Sequence, residues 1–345
     1  MTVENVLSAP ARTIEPHDPF IEAFVDPDAD PAGGPAAASM EEERTVPTPP
    51  PGAAGASPGA SGRVGPAATR RSAVKPVVAV LRQPTLVASI LVLALVTLWA
   101  LVPSWFTAWD PIVGVPQDRL LPPSTEHIFG TDNLGRDLYA RVVYGAATSL
   151  AATTVAVVVG LAVGSLFGLL AGFLRGFVDD AIMRFMDVLL AIPSLLLSLA
   201  LITALGFGTL NVAVAVGLAS VASFSRVMRA EVLQIATAVY VEAARVSGVR
   251  WYTVLRRHVL PNASGPVVAL AALEFGVMVL AISSLSFLGF GAPPPTPEWG
   301  SLVAGGRDYL AVAWWLTTLP GLVIVAVVLS ANRISRALER NGGIR

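Results

Sequence analysis

The chain has 345 residues, of which 54% are hydrophobic and 14% charged, and its formal net charge is −1. This composition, with a mean hydropathy of +0.67, excludes an ordinary soluble domain and favours apolar helices of about 20 residues that cross a hydrocarbon core ~30 Å thick. The absence of cysteine excludes disulfides, and Lys75, the only lysine, precedes proline and so cannot belong to the Gly-Lys-Ser/Thr sequence of a P-loop.

The first 76 residues hold 13 of the 27 prolines. Such a segment cannot bury enough apolar surface to offset the entropy lost on ordering, so a disordered cytoplasmic tail is predicted over residues 1–76. Residues 77–109 follow as an uncleaved membrane anchor, with a span over about 85–102 and tryptophans placed to form an aromatic belt. Five basic residues precede this span and should stay in the cytoplasm: Arg63, Arg70, Arg71, Lys75 and Arg82.

A polar extracytoplasmic segment is predicted over residues 110–148. It contains the string HIFGTDNLGRD from His127 to Asp137, in which Thr131 or Asp132 can cap a helix that begins near Leu134. The string also resembles the GTD-x-x-GRD signature of dipeptide, oligopeptide and nickel permeases, which are membrane subunits of bacterial ABC importers. No catalytic role follows from this string.

A permease core is predicted over residues 149–331, with five further spans at about 149–174, 188–206, 210–224, 266–290 and 311–331. In the first of these, glycines recur every four residues and line one face, which permits close helix contact: Gly160, Gly164, Gly168 and Gly172. Pro193 is expected to kink the next span, and residues 206–209 to turn tightly into the one after it. Residues 225–265 then form a loop before the fifth span of the chain.

A charged island, VEAARVSGVRWYTVLRRHVLP, lies in this loop. Gly248 is suited to end one short helix because it reaches the left-handed backbone region without steric cost. Pro261 lacks an amide hydrogen and is expected to end the next helix. Val239, Ala243 and Val246 share one face of the first helix, and the small Ala243 allows another protein to approach closely.

The spacing of this island resembles the EAA loop of the same importers, on Glu242, Ala243, Ala244, Gly248, His258, Leu260 and Pro261. In that family the loop forms a coupling helix in a groove of the ATPase subunit, which implies the same role here. The general pattern has isoleucine at the position of His258, whereas the peptide and nickel branch commonly reads H-x-L-P-N, as this chain does. The alternative is an amphipathic hairpin on the bilayer surface, with Glu242 and Arg245 as a surface pair.

Glu274 is the only carboxylate well inside a predicted span, about 12 Å into the fifth helix at a rise of 1.5 Å per residue. A charge near a helix centre costs about 2.5–3.5 kcal/mol on insertion scales, so this side chain should face protein or water. Met278, Ala281 and Leu285 share its helical face, and Ser283 lies opposite. Two interpretations stay open, a carboxyl that bridges neighbouring helices and a site for a cationic group on the translocation path.

Later strings resemble the same permeases: LSFLGFG at 285–291, PTPEWG at 295–300 and Pro320-Gly321. The resemblance therefore covers about residues 129–332. The chain departs from the pattern at Ile282-Ser283, where many relatives have a carboxylate, and at Ser335-Arg336, where Gly-Asp is usual.

The distribution of basic residues predicts the topology. Nineteen of the 23 lysine and arginine residues fall on the predicted cytoplasmic side, including those of a basic tail over residues 332–345. Four fall outside: Arg119, Arg136, Arg141 and Arg307. This bias predicts six spans with both termini in the cytoplasm.

The resemblance implies an all-α integral membrane protein with the type I ABC importer permease fold, in a bacterial cytoplasmic membrane. It implies a heterodimer with a second permease subunit, two ATP-binding cassette ATPase subunits that carry ATP and Mg²⁺, and an extracytoplasmic substrate-binding protein. The chain itself is expected to have no catalytic residue, cofactor or metal, since its three histidines lie far apart. Lipid is a further expected partner and nucleic acid is not. The solute stays open among dipeptide, longer peptide, nickel chelate and others.

Two other classes of protein compete with this interpretation. A stand-alone secondary transporter or channel usually places ionisable groups or broken helices near the membrane midplane, but these spans contain only Glu274 and no evident inverted repeat. A membrane scaffold would not need Gly248 and Pro261 at their observed spacing. Neighbouring genes for a binding protein and Walker-type ATPases would decide among the three classes.

Removal of residues 1–60 is expected to leave transport unchanged, because this composition offers no core for docking and the first span stays whole. The measurement is uptake by cells that express the shortened chain at the level of the full one. A shortened protein that assembles but does not transport would show that the tail has a regulatory or docking role.

Overall fold

The computed structural model describes residues 83–342, so the predicted disordered tail, its basic cluster and residues 343–345 lie outside the described part. The described residues are helical, apart from connecting segments and one isolated β-bridge between Thr131 and Asp137. In chain order the helices are α1 Pro84–Leu101, α2 Leu138–Leu174, α3 Phe177–Ala191, α4 Ser194–Leu205, α5 Thr209–Ala219, α6 Val221–Ala236, α7 Val239–Val246, α8 Trp251–Val254, α9 Leu260–Phe287, α10 Trp299–Gly306 and α11 Trp315–Gly342.

The lengths and hydropathies of these helices confirm the predicted membrane architecture. Four are long and apolar enough to cross a bilayer: α1, α2, the continuous helix from Trp251 to Phe287, and α11. Two bent pairs, α3 with α4 and α5 with α6, raise the number of candidate spans to six when each pair counts as one. The all-helical fold is therefore as the sequence predicts, with four to six candidate spans where six are predicted.

The helix α2 begins at Leu138, four residues after the helix start predicted near Leu134, and is 37 residues long. Its N-cap is Asp137, whose carboxylate accepts a hydrogen bond from the amide of Ala140 at 2.6 Å. Neither Thr131 nor Asp132 caps a helix at Leu134, as the sequence suggested. Asp132 instead accepts hydrogen bonds from Leu134 and Arg136 in a tight loop that precedes the helix.

Proline positions account for two further differences from the predicted spans. At Pro193 the chain breaks by 97° between α3 and α4, a larger change than the predicted kink. Pro261 does not end a helix, because it lies in the first turn of α9, where no intrahelical partner for its amide is required. A π-helical turn over Leu255–Val259 joins α8 directly to α9, so the helix runs on through this proline.

The glycine face of α2 forms a close helix contact in the described core. Gly160, Gly164, Gly168 and Gly172 are buried and lie against α5 and α6, as their spacing predicts. A Cβ atom on Gly164 would lie 2.6 Å from the carbonyl oxygen of Val221, so any larger residue would push the helices apart. Phe224 and Met228 on α6 fill the space beside these glycines and belong to the main apolar core.

The last helix extends through most of the predicted basic tail, since α11 ends at Gly342. It packs against α9 and α1. Near its end the guanidinium of Arg333 donates hydrogen bonds to the side chains of Gln83, at 2.6 Å, and Thr85, at 3.1 Å. The first and last spans are thereby joined at the same end.

Candidate functional site

The charged island forms a helical hairpin of α7 and α8. Gly248 has a φ of +75° and ends the turn after α7, as predicted, because that conformation is strained for residues with a Cβ atom. The amide of Val249 donates to the carbonyl of Ala244 at 3.2 Å and closes the end of the helix. No atom lies within 4 Å of a Cβ built on Gly248, so a larger side chain would have space there. Glycine is favoured at this position because of its backbone conformation, not because of crowding.

The helix α7 presents one apolar face to the core and another away from it. Val241 is 0% exposed and belongs to the main core, and Ala244 packs against that core. Val239 and Val246 are 81% and 85% exposed. Glu242 and Ala243 are also exposed, so the predicted face of Val239, Ala243 and Val246 is open within the described part of the protein.

The second half of the predicted loop lies on the π-helical turn and the start of α9. The His258 ring lies 6.4 Å from the ring of Tyr240 on α7, which brings the two halves together. The Asn262 side chain donates to the carbonyl of His258 at 2.6 Å. Leu260 and Pro261 are exposed. The predicted Glu242–Arg245 pair lies outside the described side chains.

Two ion pairs hold α6, the helix before the hairpin, against α3. Arg229 makes a bidentate pair with Asp179, at 2.5 and 2.6 Å, and Arg226 pairs with Asp187 at 2.6 Å. Neither pair was predicted from the sequence. The two arginines are three residues apart and the two aspartates eight apart, so each set lies on one face of its helix. This periodicity is the feature of the sequence from which the pairing could have been predicted.

Glu274 lies far along α9 from the hairpin and borders a cavity of about 310 Å³ beside the break between α3 and α4. Met278 and Ala281 line the same cavity, as the helical face predicts. Ser283, predicted to lie opposite, borders a separate apolar groove with Leu280. Within residues 83–342, Glu274 has neither a hydrogen bond nor an ion pair with another side chain.

The GTD-x-x-GRD string forms a compact polar cluster outside the spans. The guanidinium of Arg136 donates to Asp132 at 2.7 Å, and His127 lies 2.9 Å from the carboxylate of Asp137. Thr131 donates its hydroxyl proton to the carbonyl of Asp118, and its own carbonyl accepts from the indole of Trp315 at 3.3 Å. These hydrogen bonds give the string a structural role, because they hold its loop together and connect it to Asp118 and to α11.

A buried carboxylate that the sequence analysis missed begins α10. Glu298 is fully buried, and its oxygens accept from the amides of Gly300 and Ser301 at 3.0 Å and from the Ser149 hydroxyl at 3.3 Å. Burial raises the pKa of the Glu298 carboxyl, and the two amide hydrogen bonds act in the opposite direction. The indole of Trp299 donates to the carbonyl of Val142 at 3.0 Å. The N-cap residue and the first residue of α10 are therefore both bonded to α2.

Four helices are long enough to span a bilayer, and the hairpin leaves one apolar face of α7 exposed. These features are those of a membrane-embedded transport subunit. Residues 164–341 match the family described as binding-protein-dependent transport system inner membrane components, and the chain belongs to this family. It is the membrane-spanning permease component of an ABC importer, which confirms the resemblance identified in the sequence.

Individual relatives are similar over most of their length. A di/tripeptide transport system permease protein of Pseudomonas aeruginosa is 39% identical over 256 residues, with 72% of this chain and 84% of the relative covered. A glutathione transport system permease protein of Shigella flexneri is 39% identical over 259 residues, covering 75% and 86%. A dipeptide transport system permease protein of Alkalihalophilus pseudofirmus is 34% identical over 224 residues, covering 65% and 74%.

Proposed function

We propose that this permease carries peptides, and that it forms half of a translocation pathway whose other half is a second, different permease subunit. Two ATPase subunits bind and hydrolyse ATP with Mg²⁺ on the cytoplasmic side, and an extracytoplasmic protein delivers the peptide. The peptide substrate rests on the relatives, which are named for the transport of di- and tripeptides, dipeptides and glutathione.

The observation that carries the coupling role is the open face of α7. Val239 and Val246 are highly exposed while Val241 anchors the same helix in the core. Ala243 lies between the exposed valines, with too little side chain to keep another backbone away. An ATPase subunit is the partner proposed for this face, where it would contact the exposed Glu242 and Ala243. Ala244 packs behind them against the core, and Gly248 forms the turn that sets the angle of α7.

His258, Leu260 and Pro261 have a different proposed part in coupling. They lie where the hairpin continues into α9, and the ring of His258 faces Tyr240 of α7. A displacement of α7 would therefore reach α9 through this contact as well as through the chain. In this proposal Glu242, Ala243 and Ala244 receive the movement of the ATPase subunit, and His258, Leu260 and Pro261 transmit it to α9.

The proposed function is tested by uptake in a reconstituted system. The chain is co-expressed with its partner permease and ATPase subunits, and the complex is placed in vesicles with the cognate binding protein and radiolabelled dialanine. Uptake that requires ATP and the binding protein supports the proposal. Uptake of nickel chelate but not of any di- or tripeptide would overturn the peptide assignment, and uptake without ATP would overturn the ATP-driven class.

Topology gives a further prediction, for which the absence of cysteine is an advantage. Gln117 is exposed in the segment between α1 and α2, and Arg250 is exposed in the hairpin. The Gln117→Cys thiol should react with an impermeant maleimide in intact spheroplasts, whereas the Arg250→Cys thiol should react only after permeabilisation. Labelling of Arg250→Cys from outside would contradict the proposed cytoplasmic location of both termini and of the hairpin.

A further inference from the structure

The cavity beside Glu274 lies where the third predicted span is broken. Pro193 precedes α4 at the 97° break, and its ring borders the cavity together with residues of α5 and α9. The volume of about 310 Å³ is at the lower end of the range for small-molecule sites. Hydroxyl groups are concentrated in its lining, from Ser194, Ser198, Ser220 and Ser223.

Glu274 is the only ionisable side chain in this lining, which contains no basic residue. The two arginines of α6, Arg226 and Arg229, are bound to aspartates of α3. A carboxylate inside a span is costly without a compensating partner. The described residues supply none, so the interpretation of Glu274 as a hydrogen-bonded bridge between helices has no partner in this part of the protein.

Two of the four serines of the cavity present acceptors rather than donors. Ser198 donates its hydroxyl proton to the carbonyl of Ser194 at 2.8 Å, and Ser220 donates to the carbonyl of Gly217 at 2.7 Å. With these protons engaged, their oxygens offer only lone pairs to a ligand. A cavity lined by one carboxylate and by hydroxyl oxygens matches a cation that carries several N–H donors.

We infer that this cavity binds a primary ammonium group of the transported solute, with Glu274 as the counter-ion and the serine oxygens as additional acceptors. This inference rests on the proposed function, in which the ammonium is the free amino terminus of a peptide. A tetrahedral ammonium has three donors, and one carboxylate with two or more hydroxyl oxygens satisfies them. A divalent metal is a poorer match, because Ca²⁺ takes six to eight oxygen ligands, usually including several carboxylates.

The inference gives the permease a selectivity of its own. The binding protein selects the peptide, and the cavity then favours solutes with an unblocked amino group during passage. A peptide whose amino terminus is acetylated has no positive charge there and would cross without this stabilisation.

Charge-selective labelling of single cysteines tests the inference without requiring transport. Val277 lies one helical turn from Glu274, lines the cavity and is 51% exposed. Leu280 is the matched control, because it is 52% exposed but borders the separate apolar groove. Each is changed to cysteine in the assembled complex, with and without Glu274→Gln. The two reagents are aminoethyl methanethiosulfonate, a cation, and sulfonatoethyl methanethiosulfonate, an anion.

For Val277→Cys, the ratio of the cation rate to the anion rate is expected to fall about tenfold on Glu274→Gln, the factor that Coulomb attraction across about 6 Å of water gives between reagents of opposite charge. For Leu280→Cys the ratio should change much less. An unchanged ratio at Val277→Cys would overturn the inference, because it would mean that Glu274 carries no effective charge there. Failure of both reagents to react at Val277→Cys would also overturn it, because a site closed to a small ammonium cannot serve a substrate.

Uptake then separates this inference from the proposed function. With vesicles that transport dialanine, Glu274→Gln should lower dialanine uptake by about tenfold or more, because the amide keeps an acceptor oxygen but removes the charge that strengthens the hydrogen bond to the ammonium. Glu231→Gln, an acid-to-amide change on α6, is the control and should leave uptake unchanged. Equal loss of dialanine and N-acetyldialanine uptake in Glu274→Gln would overturn the ammonium site while leaving peptide transport intact as the function. Absence of peptide uptake by the unchanged complex would contradict the proposed function itself, whatever the labelling result.

Discussion

Replacement of Ala243 by tryptophan is expected to abolish ATP-driven uptake while the complex still inserts in the membrane and hydrolyses ATP. Ala243 lies on the exposed face of α7 between two exposed valines, so the indole would occupy the space proposed for the ATPase backbone. A central interface change of this kind costs about 2 kcal/mol or more, or about thirtyfold in affinity. The measurement is uptake per ATP hydrolysed in vesicles, compared with the unchanged transporter.

The matched control is Ala181→Trp, the same substitution at an exposed position on α3. It should leave both uptake and ATP hydrolysis unchanged, which shows that an exposed tryptophan is not harmful in itself. Gly248→Asp should reproduce the coupling defect by a different cause, because a side chain at φ +75° strains the turn that orients α7. Normal uptake in both Ala243→Trp and Gly248→Asp would contradict the assignment of this hairpin as the coupling loop.

Replacement of Gly164 by alanine is expected to destabilise the permease by about 1–3 kcal/mol, the usual range for an overpacked core. The new methyl group would lie 2.6 Å from the Val221 carbonyl oxygen and 2.6 Å from the Phe224 Cβ atom, both on the neighbouring helix α6. The helices must separate to relieve these contacts. A lower thermal midpoint of the purified complex, measured by the loss of monodisperse protein on heating, is the expected result.

Gly265→Ala is the control for this second change. Gly265 also lies in a helix, but no atom lies within 4 Å of a Cβ atom built on it. Alanine should be neutral or favourable there, because glycine costs about 1 kcal/mol relative to alanine in a helix interior. Equal thermal midpoints for Gly164→Ala and the unchanged complex would mean that α2 and α6 tolerate a wider separation than their observed contact.

Properties set by a short stretch of chain were predictable from the sequence. The apolar runs predicted the long membrane-spanning helices, because the thickness of the bilayer fixes their length. The four-residue glycine period gave the close contact of α2, and Gly248 gave the end of α7, because both depend on backbone sterics alone. The helical face of Glu274 was also predictable, since Met278 and Ala281 follow from helix periodicity.

Features that depend on distant residues were not predictable in the same way. The position of Glu298 requires Ser149, which is 149 residues earlier in the chain, as a hydrogen-bond donor. The course of the helix through Pro261 depends on a π-helical turn before it, and no propensity rule for single residues encodes that turn. The break at Pro193 exceeded the predicted kink because α3 and α4 pack against different helices, α3 against α2 and α6, and α4 against α5.

The unbroken passage from the hairpin into α9 has a mechanical consequence. From Trp251 to Phe287 the chain is one helix of 37 residues, about 55 Å long at 1.5 Å per residue. Glu274 lies about 35 Å along this rod. A push or a rotation applied at the hairpin end therefore has a continuous helical path to the carboxylate, with no connecting loop between them. The coupling role proposed for the hairpin would therefore act on the wall of the cavity that Glu274 lines.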